Sequence, residues 1–172
     1  MNEVIFIAGA GAVETESRPA ALYRELNKLS DLTASASINK KEVRDCIRAV
    51  SRVLEGMPDG QDNATLEHFF ADGVYGRRWG CKRGVVLTTR IHIVQHISTL
   101  SRGKIVVAST DGLSVVEAGA MFVTEPGTQR VILVLEDAVF TTVHANPDNE
   151  RDPEVLTKRF TIGPFDEYEE AV

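Results

Sequence analysis

The stretch "RIHIVQHISTLSRG", Arg90 to Gly103, decides how this chain is read. It is rich in β-branched residues, which favour a pleated strand, and it holds His92 and His96, two of the four histidines. Successive side chains of a strand point to opposite faces, so Arg90 and His92 share one face while Ile91 and Ile93 share the other. If the aliphatic face fills a core, the arginine and histidine are solvated decoration. If the polar face looks inward, they line a pocket. The same alternative holds for Arg130, Ile132 and Val134 against Val131, Leu133 and Leu135, and the sequence leaves both readings open.

Around this stretch, from Leu66 to His144, short β-type runs alternate with turn formers. The runs are "GVYGRRW", "GVVLTTRIHIV", "KIVVAST", "LSVVEAGAMFVT", "RVILVLE" and "AVFTTVH". Asp111-Gly112, Pro126-Gly127 and Glu136-Asp137 are the expected turns, and the whole pattern predicts an antiparallel barrel or sandwich. Ahead of it, residues 17–56 read as two helices. Ser17 and Pro19 open the first, along which Leu22, Leu26 and Leu29 recur at one-turn spacing. Asn39 with Glu42 resembles a capping box for the second, Val43, Ile47, Val50 and Leu54 share its face, and Gly56 stands where a C-terminal cap belongs. This gives a helical segment over 1–64, a barrel over 65–150, and a short acidic C-terminal tail over 151–172, with a helical turn or two near Glu154 to Phe160.

Composition narrows the function classes. The 172 residues are 43% hydrophobic and 26% charged, as in an ordinary globular protein. A formal charge of -6, with the densest basic cluster limited to Arg77, Arg78, Lys82 and Arg83, argues against nucleic acid as a partner. Cys46 and Cys81 have no metal-type spacing and predict neither a disulfide framework nor a zinc site. The opening "MNEVIFIAGAGAV" carries Glu3, has no Lys or Arg before its apolar run, and is too short for a membrane span, so no signal peptide and no membrane partner are expected. "GAGAVE" lacks the third glycine of a dinucleotide loop.

Two spacings then resemble a known family. Cupins, small jelly-roll barrels, carry a first motif on whose spacing Gly84, Arg90, His92, His96 and Gly103 fall, and a second on which Gly119, Glu125, Gly127, Arg130 and Val134 fall. Fifteen residues separate the two, similar to the short distance of compact cupins. The chain also resembles small cupin-like proteins of tailed bacteriophages in "HFFADGVYGRR", "GVVLTTRIH", "PGTQR" and "EDAVFTTVHAN". The resemblance implies a mainly β, cupin-type antiparallel jelly-roll barrel, and a place in the host cytoplasm or the virion.

The departures from the motif bear on chemistry. Cupins that bind a divalent metal use imidazoles and a carboxylate, yet only His92 keeps its residue type here. His96 stands at the Glu position, and Arg90 and Arg130 replace histidines. A guanidinium has no lone pair to donate and repels a cation, so no cofactor is required by the pattern. One repair is a hairpin centred near Asp137 that makes Arg130 and His144 cross-strand neighbours, letting His92, His96 and His144 hold a displaced divalent metal. The other is a pocket of Arg90, His92, His96, Arg130 and His144 for a small anionic ligand, which charge favours.

If the polar faces point inward, the Val131, Leu133 and Leu135 face lies outside and needs cover from the two helices or a second subunit. A homo-oligomer is expected. The leading functional expectation is a non-catalytic accessory, assembly or virion-associated phage protein, partnered by its own copies and by other phage structural proteins. The alternative is a cupin enzyme, either a metal-dependent oxygenase or isomerase, or a sugar epimerase with a histidine base beside an acidic partner. His68, Tyr75 and Trp79 read as edge or packing residues, and Glu136 and Asp137 as a turn.

Overall fold

The computed structural model describes residues 18–57 and 64–168. The "GAGAVE" stretch, Ser17, most of the turn formers after Met57 and the acidic residues from 169 onward lie outside the described residues.

Helix α1 (Arg18–Ala34) and helix α2 (Lys40–Glu55) occupy the predicted places. The Asn39 side chain accepts from the Glu42 backbone N–H at 3.3 Å and donates to the Glu42 carboxylate at 3.0 Å, so two groups at the α2 start satisfy each other. Gly56 caps the C-terminus of α2, as expected. Its backbone is right-handed, and it closes the helix by donating to the carbonyls of Leu54 and Val53.

The strands are β1 (Ala64–Ala71), β2 (Gly73–Cys81), β3 (Val86–Thr88), β4 (Ile91–His92), β5 (His96–Ser109), β6 (Gly112–Glu117), β7 (Met121–Thr124), β8 (Arg130–Asn146) and, after helix α3 (Pro153–Phe160), β9 (Thr161–Ile162). Seven form one sheet in the order β1-β2-β8-β5-β6, with β3 also on β8 and β7 also on β5. β4 pairs with β9, and every pairing is antiparallel. The expected class holds: a mainly β antiparallel fold consistent with a jelly roll, with two helices ahead of it.

Two of the three predicted turns are present, at Asp111 and at Pro126-Gly127. The third is not. β8 runs unbroken from Arg130 to Asn146, so no hairpin turns at Asp137 and Arg130 and His144 are opposite ends of one strand. β8 is flanked by β2 over its second half and by β5 over nearly its whole length, so leaving the ladder at Asp137 would orphan many backbone groups. The irregularity falls on β5 instead, where the register shifts between Leu100 and Ile105. Gly103 sits in that bulge with φ +83°, and a Cβ there would lie 2.8 Å from the Ala138 Cα. Asp137 accepts from Lys82 Nζ and from the Arg83 backbone N–H, each at 2.9 Å.

Alternation along β8 sorts its side chains. Ile132, Val134, Ala138 and Phe140 fill the interior with Trp79, Leu87, Leu100, Ile105 and Val107. Val131 faces the other way, against Leu22, Leu29, Val43, Ile47, Val50 and Leu54 of the two helices, and Leu133 packs beside it. The helices therefore cover the aliphatic outer face. In α3, Leu156 and Phe160 are buried against Tyr75, which ties this segment to the barrel end. Both cysteines are free and buried, and no helix of the described residues is long and apolar enough to cross a membrane.

Substituting Gly103→Ala should destabilise the fold by at least about 2 kcal/mol, from the left-handed backbone and the collision with β8. Urea unfolding of the purified variant measures it.

Candidate functional site

Four of the five predicted site residues turn inward. His92, His96 and His144 are each 4% exposed and Arg130 is 8% exposed. His92 closes β4, His96 opens β5, and β8 supplies Arg130 from its first residue and His144 from near its last. The rings form a column: His92 and His96 have centroids 4.4 Å apart, His96 and His144 4.3 Å, and His144 and Phe160 4.4 Å at an interplanar angle of 12°. Arg90 is the exception. It is half-buried, and its Nε donates to Thr161 Oγ1 at 2.9 Å, which joins the residue just ahead of β4 to β9.

Hydroxyls complete the lining. Arg130 Nη2 donates to Thr124 Oγ1 at 3.0 Å, and Thr124 Oγ1 shares a hydrogen bond with Ser98 Oγ at 2.8 Å. His144 Nε2 lies 3.2 Å from Thr142 Oγ1, and His96 Nδ1 lies 3.2 Å from the Val94 carbonyl. Three imidazole nitrogens, His92 Nδ1, His96 Nε2 and His144 Nδ1, are buried without a hydrogen-bond partner. Buried polar atoms are ordinarily paired, so three unpaired nitrogens in one column need a reason.

Electrostatics follow from burial. Desolvation pushes His96 down to about 4 and His144 down to about 3, and holds His92 well below the ordinary imidazole range. Arg130 and Arg77 depress His92 and His96 further, and Arg77 adds to His144. The three imidazoles are thus neutral at pH 7. Burial lowers Arg130 to about 10, which still leaves it charged at that pH. No carboxylate of the described residues forms a salt bridge with Arg130; Asp111 acts on it only through its field.

His92, His96 and His144, the candidate metal set, come together as a column of rings. Among the described residues no group of three or more His, Cys, Asp or Glu is placed to hold an ion. The rings lie within the field of Arg130, and among the described residues none of them is hydrogen-bonded to a carboxylate.

Some lining residues were missed from sequence. Ser98 is two residues past His96 and Thr142 two before His144, so alternation alone places them on the same faces. Thr124 is the cross-strand partner of His96. Arg77 was noted only within a basic cluster. Phe160 carries no sequence signal, because it reaches the column from a helix beyond the barrel strands.

No family model and no curated protein matches this chain. Solved structures do resemble it. A protein from Halomonas sp. titled KdgF is 16% identical with a TM-score of 0.45, over 56% of this chain and 88% of the other. An RmlC-like cupin from Shewanella frigidimarina is 13% identical with a TM-score of 0.43, over 52% and 79%. An acetylacetone dioxygenase from Acinetobacter johnsonii is 13% identical with a TM-score of 0.41, over 51% and 66%.

Stability should fall on acidification. Unfolded histidine titrates near 6.5, whereas His96 and His144 titrate at about 4 and 3 in the fold, so the unfolded chain binds more protons between these values. Each histidine held neutral lowers stability by up to about 1.4 kcal/mol per pH unit as pH drops below 6.5. Urea midpoints between pH 7.5 and pH 4.5 read this, and a flat profile would contradict the buried column.

Proposed function

We propose that this chain is a non-catalytic, self-associating jelly-roll protein of the tailed-phage type, serving as an accessory, assembly or virion-associated component, whose barrel interior holds a small anion. The observation that carries the anion reading is Arg130. Its guanidinium is buried, bonds to a neutral hydroxyl, and has no carboxylate partner among the described residues. The Phe122 ring, 5.7 Å from the guanidinium, and the field of Asp111 offset only part of the cost of a buried charge without an ion-pair partner, and a bound anion would offset more of it. Neutral imidazoles and the Thr124 and Ser98 hydroxyls supply further polar contacts without competing charge.

Four motif matches, over residues 68–78, 84–92, 126–130 and 136–146, support the phage assignment. An enzyme reading is weaker on this geometry. An epimerase needs a histidine base beside an acid, and none of His92, His96 and His144 bonds to a carboxylate of the described residues.

Self-association draws on the outer sheet face beyond the helices. Val123, Ile97, Val143, Gly76 and Phe69 follow one another across β7, β5, β8, β2 and β1 in a single row. Val123, Ile97 and Phe69 are exposed, as is Met121 nearby on β7. A contiguous apolar face of this kind is the ground for pairing with a second copy.

Thermal shift with phosphate, sulfate and small carboxylates, against divalent metals and chelator, tests the anion reading. Only ligands that prefer the native state raise the melting temperature. Anions should raise it by about 2–4 °C or more, while chelator leaves it unchanged. Arg130→Met should abolish the anion shift without lowering the ligand-free melting temperature, because a buried unpaired charge is replaced by apolar volume. Loss of stability in Arg130→Met with no anion response in the native chain would make Arg130 a structural residue. Light scattering at micromolar concentration should show a homo-oligomer, and a monodisperse monomer would refute self-association.

A further inference from the structure

The anion reading leaves open which anions enter, and His96 bears on that choice. Its Nδ1 faces the Val94 carbonyl oxygen at 3.2 Å. A carbonyl only accepts, so Nδ1 carries the proton and donates it. The ring is neutral at pH 7, since burial holds it at about 4, and Nε2 therefore bears a lone pair. That nitrogen is buried and has no partner.

The lone pair stands close to the guanidinium. His96 and Thr124 are cross-strand partners, and both side chains are buried. Such partners have Cβ atoms about 5 Å apart. Thr124 Oγ1 in turn accepts from Arg130 Nη2 at 3.0 Å. Thr124 thus stands between the two: it neighbours His96 across the strands and accepts from the charged donor, whose field reaches the His96 ring.

Resting on the anion reading, we infer that this pocket selects oxyanions that bring their own hydroxyl donor, with Arg130 binding the charged oxygen and His96 Nε2 accepting the ligand O–H. Hydrogen phosphate and 2-hydroxy carboxylates meet both demands. Sulfate and simple carboxylates do not. They would set an oxygen lone pair against the Nε2 lone pair and leave a buried acceptor unsatisfied. Sulfate has nearly the size and shape of phosphate, so a difference between them reports the proton and not the fit. A site built to pair a ligand hydroxyl rejects the analogue without it, here by at least about tenfold in affinity.

Calorimetric titration of the full chain at pH 7 and matched ionic strength, with sodium phosphate, sulfate, glycolate and acetate, tests this. Phosphate binding at least about tenfold tighter than sulfate, or glycolate at least about tenfold tighter than acetate, is the expected result. The first preference alone assigns the pocket to inorganic phosphate, and the second alone to the hydroxy-acid class. Sulfate binding as tightly as phosphate, together with acetate as tightly as glycolate, would overturn the selectivity while leaving the anion pocket standing. Absence of binding by all four would overturn the anion reading itself. His96→Leu should erase the preference while Arg130 still binds anions. Nitrogen-15 spectra of histidine in the unaltered chain give a readout that needs no variant: His96 Nε2 should carry a lone pair in the free protein and shift with phosphate but not with sulfate. A proton on Nε2 in the free protein would refute the inference.

Discussion

The two-residue alternation of β8 is the constraint on which the rest of the structure depends. Over Arg130–Asn146 the even-numbered side chains other than the exposed Glu136 are buried, and the odd-numbered Val131 and Leu133 look toward the helices. A shift of one residue would exchange the two sets, placing Val131 and Leu133 in the interior and exposing Ile132, Val134 and Phe140. Neither the helix contacts nor the aromatic packing of Trp79 on Phe140 would survive that exchange. The β5 bulge at Gly103 keeps β5 in step. His96, Ser98 and Leu100 on one side of it, and Ile105, Val107 and Ser109 on the other, are all buried, although their numbers change from even to odd.

Alternation also explains why a polar group sits where a core residue is expected. The inner row of β8 is aliphatic and aromatic at its centre and polar at its ends, with Arg130 at one and Thr142, His144 and Asn146 at the other. His92 is affected by both Arg130 and His144, so the ends of this long strand act on one region. α3 and β9 close it, with Phe160 stacked on His144 and Thr161 paired with His92. The result is an interior divided into a dry half and a polar half. The polar half keeps its imidazoles neutral by excluding water, and it retains one guanidinium that burial does not neutralise.

Much of this was legible in the sequence. Periodicity located both helices, and the Asn39 to Glu42 spacing located the start of α2, because local hydrogen bonds decide such features. Motif spacing offered an inward turn of His92, His96, Arg130 and His144 as one of two open readings, and once the faces are assigned, parity carries Ser98 and Thr142 with them. The Asp137 turn was misread because Glu136-Asp137 has turn composition. Pairing with β2 and β5 held the strand straight through it, a long-range effect that no local signal carries. Arg90 was misplaced for a similar reason: β4 is only two residues long and pairs with β9, so its alternation does not extend back to residue 90. The contribution of Phe160 depended on α3 folding back, which composition near the C-terminus does not encode.

The most direct test of the inward-facing polar column is chemical accessibility. Diethylpyrocarbonate labelling of the native protein at neutral pH, followed by peptide mass mapping, should leave His92, His96 and His144 unmodified, and the same residues should label fully in urea. Labelling of these three in the native state at the rate seen in urea would place them in solvent and contradict the account.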